Sequence, residues 1–391
     1  MSEKKKRQKN KKRAVLRSVL IGVLVLVLLL FSGLYVAANT FGSIPLSNVA
    51  DVFTSFSVRD GSTFPYTVDA NSVVRMAALG SGAAVLRTDK LDILTKSGSI
   101  LQTVQHTYTM PAMDVFGGRV LLYDRGSTRY MLLSKTKVLY SGEADGKILT
   151  ASVAQDGWYA IAVGAEGDKS ILTVYKSSGA KQFQYKCVSE YVTDIAFTRK
   201  GVAVTAAGVK GAEAYSRLLL LDLKKAEPAA SLDYAGTSLF HVHSNTLSTV
   251  ACSSSVLSII GHDGERKPDV TFGSDTLQYF CADENGRATL VLLTYGNEHA
   301  SRLLGLQKNG ETAFEADCGE KLQAASRSAS YTGVLTDNAV LTYNNSGSLV
   351  GTLTLTRSAR DICLSGRNVL VLFNDCIDIF PASGEHTQKT E

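Results

Sequence analysis

ILTASVAQDGWYAIAVGAEGDKSILTVYKSSGAKQFQYKC, residues 148–187, decides the fold. It divides into four strand-length segments, ILTASVA, WYAIAV, SILTVY and KQFQYKC, rich in β-branched and aromatic residues. Asp156-Gly157 separates the first two and is a tight-turn signal, since glycine accepts positive φ at no steric cost. The same logic applies at Asn285-Gly286, between LQYFCAD and ATLVLL. Helical periodicity is nearly absent from about residue 72 to 385, and the prolines are few and scattered.

The third segment, with its turn, is one copy of a weak repeat. An apolar strand ending in a polar turn and glycine recurs as DILTKSG (92–98), LTVYKSSG (172–179), LSIIGHDG (257–264), LLGLQKNG (303–310), LTYNNSG (341–347) and IDIFPASG (377–384). The glycines are 81, 85, 46, 37 and 37 residues apart. Each long interval holds a degenerate copy, YMLLSKTKVLY (130–140) and LLLLDLKKAEP (218–228), which makes eight units of roughly 39 residues. A period near 40 built from four short strands is a β-propeller blade. One blade cannot bury both of its faces, so neighbours must stack around an axis. Eight blades is the reading, with seven as the alternative because units two and four are degenerate. The glycine is expected in the hairpin between third and fourth strands.

The ends of the array fit a closed ring. The eighth unit has three strands, RDICLS, NVLVLF and CIDIF, and then runs into the polar tail GEHTQKTE. The lone segment TFPYTV (63–68) precedes the first unit and can supply the missing fourth strand, which would remove an open sheet edge.

The N-terminus has a different character. Residues 1–17 carry nine basic residues and one acid, and the remainder has a net charge of −3. The basic balance therefore belongs to the tail, and no nucleic-acid footprint covers the rest. From Val19 to Ala38 there are 20 residues without a charge, about 30 Å as a helix, which is the hydrocarbon thickness of a bilayer. The basic flank predicts a cytoplasmic N-terminus and holds to anionic head groups. A cleaved signal peptide ending at Ala38 is the competing reading, but secretory apolar regions are shorter. The expected organisation is a cytoplasmic tail (1–17), a transmembrane helix (18–38), a membrane-proximal linker (39–62), an extracytoplasmic propeller (63–385) and a polar C-terminal tail (386–391). Within the linker, Ser47 can cap a short helix carrying Val49, Val52, Phe53 and Phe56 on one face.

A basic tail, one anchor helix, Phe64-Pro65-Tyr66-Thr67-Val68 and AALGSGAAVLRTDKLDILTKSG (77–98) together resemble an uncharacterised family of bacterial membrane-anchored propeller proteins, a domain of unknown function. The resemblance implies an extracytoplasmic propeller with no assigned activity. More remotely the units are similar to quinoprotein and WD-like propellers, although the tryptophan-docking pattern of the quinone enzymes is absent from a chain with one tryptophan, Trp158.

Motifs of chemistry are scarce. There is no GxSxG nucleophile elbow and no HExxH, and GAEGDKS (164–170) joins two strands where a phosphate loop needs a following helix. Among six histidines, His241 and His243 alone share a strand face at i, i+2 and are weak metal candidates without an identifiable third ligand. The six cysteines form no CxxC pair. Cys363 and Cys376, read as lying on neighbouring strands, are the candidate disulfide, against the alternative of small buried apolar residues. No catalytic residue and no cofactor is assigned. The expected role is a binding or scaffold module for an envelope protein or glycan. A propeller lyase or hydrolase acting on extracellular polymers, or a sensory ectodomain, is the alternative.

Overall fold

The computed structural model describes residues 63–261, 264–297 and 299–387. The expected tail, anchor helix and linker (1–62) lie outside the described residues. Among the described residues no helix is long and apolar enough to cross a membrane.

The chain forms eight sheets in sequence. Blades 1 to 7 are four-stranded meanders over 73–105, 111–143, 148–187, 190–235, 241–271, 276–318 and 324–354. Blade 8 (359–381) has three strands of its own, and its fourth is Tyr66–Thr67, with Tyr66 opposite Ile377 and Thr67 opposite Cys376. Eight blades and N-terminal closure are therefore the architecture, and seven is set aside. The degenerate units belong to complete blades. In blade 2 the Ser134 N–H donates to the Lys137 carbonyl (2.9 Å), a turn that needs no glycine. In blade 4 the middle strands Gly201–Lys210 and Glu213–Asp222 are ten residues each, and the link to the fourth strand runs through Lys224, Lys225 and Pro228.

One end differs from expectation. Gly384–Thr387, read as the start of a polar tail, forms a strand parallel to Leu349–Thr354 and adds a fifth strand to blade 7. An outermost strand faces solvent on one side, so polar residues are tolerated there.

The core is distributed around the ring. Among the described residues eight buried apolar clusters occur, one in each interface between neighbouring blades. The cluster between blades 8 and 1 includes Val68, Ala70 and Tyr66 beside Val85 and Leu372, so the N-terminal strand contributes to packing as well as to hydrogen bonding. Each fully buried leucine or isoleucine contributes about 1.5–3 kcal/mol by leaving water.

An antiparallel meander separates its connections onto two faces. The first-to-second and third-to-fourth hairpins emerge on one side, the turn face. The second-to-third hairpins and the links between blades emerge on the other, the loop face. On the turn face Gly98, Gly179, Gly310 and Gly347 have φ of +88°, +83°, +83° and +82°. Each glycine N–H donates to the carbonyl three residues earlier, and the third strand slips register just before the turn. This is the three-to-five-residue hairpin with a bulge that glycine makes possible. At Gly98 a Cβ would meet the Phe64 ring at 2.9 Å, so this glycine also admits the closing strand.

Candidate functional site

The first strand of every blade faces the central channel. In blades 1, 3, 4, 6 and 8 it carries a bulge at a corresponding place, between Val73/Arg75, Ile148/Thr150, Val192/Asp194, Leu277/Tyr279 and Ala359/Asp361. A bulge re-aims the side chain that follows it. Several polar groups in these strands hold the neighbouring blade. Asp114 accepts from the Val153 N–H (2.8 Å) and the Ser152 hydroxyl (3.0 Å). Asp194 accepts from the Val242 N–H (2.9 Å), and Ser326 Oγ from the Leu364 N–H (2.9 Å). Arg75 donates to the Met113 carbonyl (2.8 Å), and Tyr279 to that of Gln323. These contacts satisfy backbone groups that the edge of an inner strand would otherwise leave unpaired.

A channel cavity of about 490 Å³ is lined from blades 1, 2, 6, 7 and 8. Its ionisable and thiol side chains are Arg75, Cys281, Asp283, Glu284, Arg327, Asp361 and Cys363. Arg327 and Asp283 form a buried ion pair at 3.1 Å. Arg327 also donates to Thr289 (2.9 Å), Thr332 (2.7 Å) and Asn345 (2.6 Å), which leaves little of its donor capacity for a ligand. Burial draws its pKa below the ordinary guanidinium value, and Asp283 opposes that. Burial pushes the Cys281 and Cys363 thiols up to about 12 and raises the Asp361 and Asp114 carboxyls. A thiol in that state is a poor nucleophile. Towards the turn face, the Gly117 N–H of blade 2 donates to Glu284 Oε1 of blade 6 (3.1 Å), a contact between opposite sides of the ring.

The candidate metal pair lies on the first strand of blade 5. His241 and His243 both face Phe280, with ring centroids 5.7 and 6.3 Å away. His241 Nδ1 is 3.8 Å from Asp194, and His243 Nε2 is sealed from solvent without a hydrogen-bond partner. Burial lowers the His243 pKa to about 4, so its imidazole is neutral. Among the described residues no group of three or more His, Cys, Asp or Glu is placed to hold a metal ion. His262 lies outside the described residues.

The disulfide expectation is corrected. Cys363 is in the first strand of blade 8 and Cys376 in the third, with Asn368–Phe373 between them, and both are free thiols. Two strand spacings are about 9.5 Å, beyond the roughly 7 Å a disulfide tolerates between Cα atoms. Cys363 packs between blades 8 and 1, and Cys376 between blades 7 and 8.

The loop face has a different surface. Of eleven exposed large apolar side chains among the described residues, seven are on it: Val74, Met110, Val188, Tyr191, Val209, Phe240 and Tyr295. Three are on blade 4 or the link leading into it, where the long middle hairpin outgrows those of the neighbouring blades. Val188 is 64%, Val209 66% and Tyr295 78% exposed. Sequence reasoning did not single these residues out, because valines and tyrosines in strands are ordinarily blade packing.

Solved structures share the fold. The computationally designed Ika8 protein superposes with a TM-score of 0.60 at 11% identity, over 82% of this chain and 100% of that one. Sqt1 from Saccharomyces cerevisiae gives 0.55 at 10% identity, over 81% and 98%. BamB from Moraxella catarrhalis gives 0.50 at 12% identity, over 81% and 98%. At such identities the likeness establishes the fold alone. No curated protein matches the sequence. A family model does match, over residues 51–386, and the chain belongs to that family of unknown function, DUF5711.

Proposed function

We propose that the chain is a membrane-anchored, extracytoplasmic scaffold that binds an envelope protein through its loop face. The propeller fold suits a binding or scaffold module, because a rigid ring presents variable loops. The observation that carries the reading is the concentration of exposed apolar side chains on that face, centred on blade 4. Exposed apolar side chains gathered on one face of a folded domain mark a protein-interaction surface. Four of the seven are aliphatic (Val74, Met110, Val188, Val209), which favours a protein over a glycan. Anchoring rests on the uncharged run from Val19 to Ala38 and the basic flank before it.

An enzymatic role has weaker support. The channel's cations hold neighbouring blades or a buried partner, and its thiols are held protonated. The test is a native-gel comparison of complexes from detergent-solubilised membranes. The double variant Tyr191→Ser, Val209→Asp is expected to run as the free chain while the wild type runs as a larger complex. The rim variant Ile100→Asp should leave the complex intact. A complex unchanged by the loop-face variant would refute the reading.

A further inference from the structure

The turn face bears a second feature, an unbalanced crescent of positive charge. Third-to-fourth turns place Lys96 on blade 1, Lys135 and Lys137 on blade 2, Lys176 on blade 3, and Lys224 and Lys225 on blade 4. First-to-second turns add Arg199 and Lys200 on blade 4 and Arg367 on blade 8. In the same turns the acids are Asp156, Asp222 and Glu227. Asp222 is engaged by its own turn, accepting from the Lys224 N–H (3.0 Å). None of these nine cations forms an ion pair among the described residues. Across the ring the turns of blades 5 and 6 are balanced, with Arg266 on Asp269 (2.6 Å) and Lys267 on Glu311 (3.3 Å). The crescent is therefore confined to blades 8 and 1 to 4.

The chain enters the ring within that crescent. The Thr63 N–H and hydroxyl both donate to the carbonyl of Ser97 (2.8 and 3.2 Å), in the same turn as Lys96. The described chain therefore begins on the turn face. Only 24 residues, 39–62, separate the expected membrane helix from this point.

We infer that the basic crescent of the turn face docks on an anionic bilayer surface, which turns the loop face outward towards the protein partner. The inference deepens the anchored reading above and rests on it. Charge complementarity and the point of chain entry both select the same occupant. Lysines on short turns can approach lipid phosphates closely, and their attraction falls off within a Debye length, about 10 Å at 0.1 M salt and about 3 Å at 1 M. The single tryptophan, Trp158, sits partly buried on this face with Lys176 Nζ 5.9 Å from its ring centroid. It is a native reporter of contact with lipid.

The experiment reconstitutes the full-length chain in nanodiscs of phosphatidylglycerol and of phosphatidylcholine, each containing a lipid with a spin-labelled head group. Trp158 emission is expected to be quenched in the anionic discs at low salt and to recover at 1 M salt. It should also recover in the variant K137E/K200E/K224E/K225E, whose changes avoid the tryptophan's own neighbour. Equal emission in the two lipids, with the chain co-eluting with the discs, would overturn the docking surface and leave the anchored reading standing. A chain that co-elutes with neither kind of disc would overturn the anchored reading and the inference with it.

Discussion

The two faces of the ring are built from the same strands and differ in what their connections do. On the turn face a short glycine hairpin recurs between the third and fourth strands of blades 1, 3, 6 and 7, and its glycines pack directly on neighbours. At Gly179 an added Cβ would lie 2.2 Å from the Tyr140 ring, and at Gly310 2.5 Å from Ile259. On the loop face the connections vary in length, and Gly126, Gly211 and Gly296 have positive φ with nothing within 4 Å of an added Cβ. These recurrent turns are therefore constrained by packing, and the three loop-face hairpins are free to vary. Exposed apolar side chains appear where that freedom exists.

The largest expected effect tests the interior that both faces share. Arg327→Ala leaves Asp283 buried without its cation and should cost roughly 3–5 kcal/mol, read as a lowered denaturation midpoint. A conservative Arg327→Lys should recover only part of it, since lysine cannot reproduce the contacts to Thr289, Thr332 and Asn345 together.

The next prediction compares the faces directly. Gly179→Ala combines a left-handed backbone with a collision against Tyr140 and should cost roughly 2–4 kcal/mol. Gly126→Ala has a similar φ of +79° but open space, and should cost roughly 1 kcal/mol. Equal losses in thermal unfolding would show that packing does not distinguish the two faces.

His243 supplies a pH dependence. Its folded pKa is lowered to about 4 by burial, so the unfolded chain takes up a proton at higher pH than the folded one. Stability from this group is present above about pH 6.5 and is lost as the pH falls towards 4. His243 Nε2 is sealed from solvent, and the loss should be on the order of 2 kcal/mol. In His243→Gln, denaturant midpoints should vary less between pH 7 and 4; an unchanged profile would mean that His243 carries none of the dependence. The smallest effect on folding belongs to the loop face. Val209→Asp, on an exposed hairpin, should shift stability by no more than about 0.5 kcal/mol while removing partner binding.

What could be read from the sequence follows the same division. The turn glycines at 98, 179, 310 and 347 were visible because they repeat, and the repeat exists because each blade meets the same steric demand. Blade closure by 63–68 was visible because three strands need a fourth. Other features are not visible in the periodicity. Cys363 and Cys376 lie on strands close in sequence, but a meander places its first and third strands two spacings apart. The blade-clasping acids do carry a sequence signal. Met113-Asp114-Val115 and Thr193-Asp194-Ile195 each set a lone aspartate within a first strand. The loop-face residues break the repeat, and a site that breaks the pattern leaves no pattern to find.

The most direct test of the division between faces is photocrosslinking in intact cells, with a photoreactive amino acid placed at Val209 on the loop face or at Ile100 on the outer rim. A discrete adduct from position 209 and none from position 100 is the predicted result. The same adducts from both positions, or none from 209, would contradict the assignment of the loop face as the binding surface.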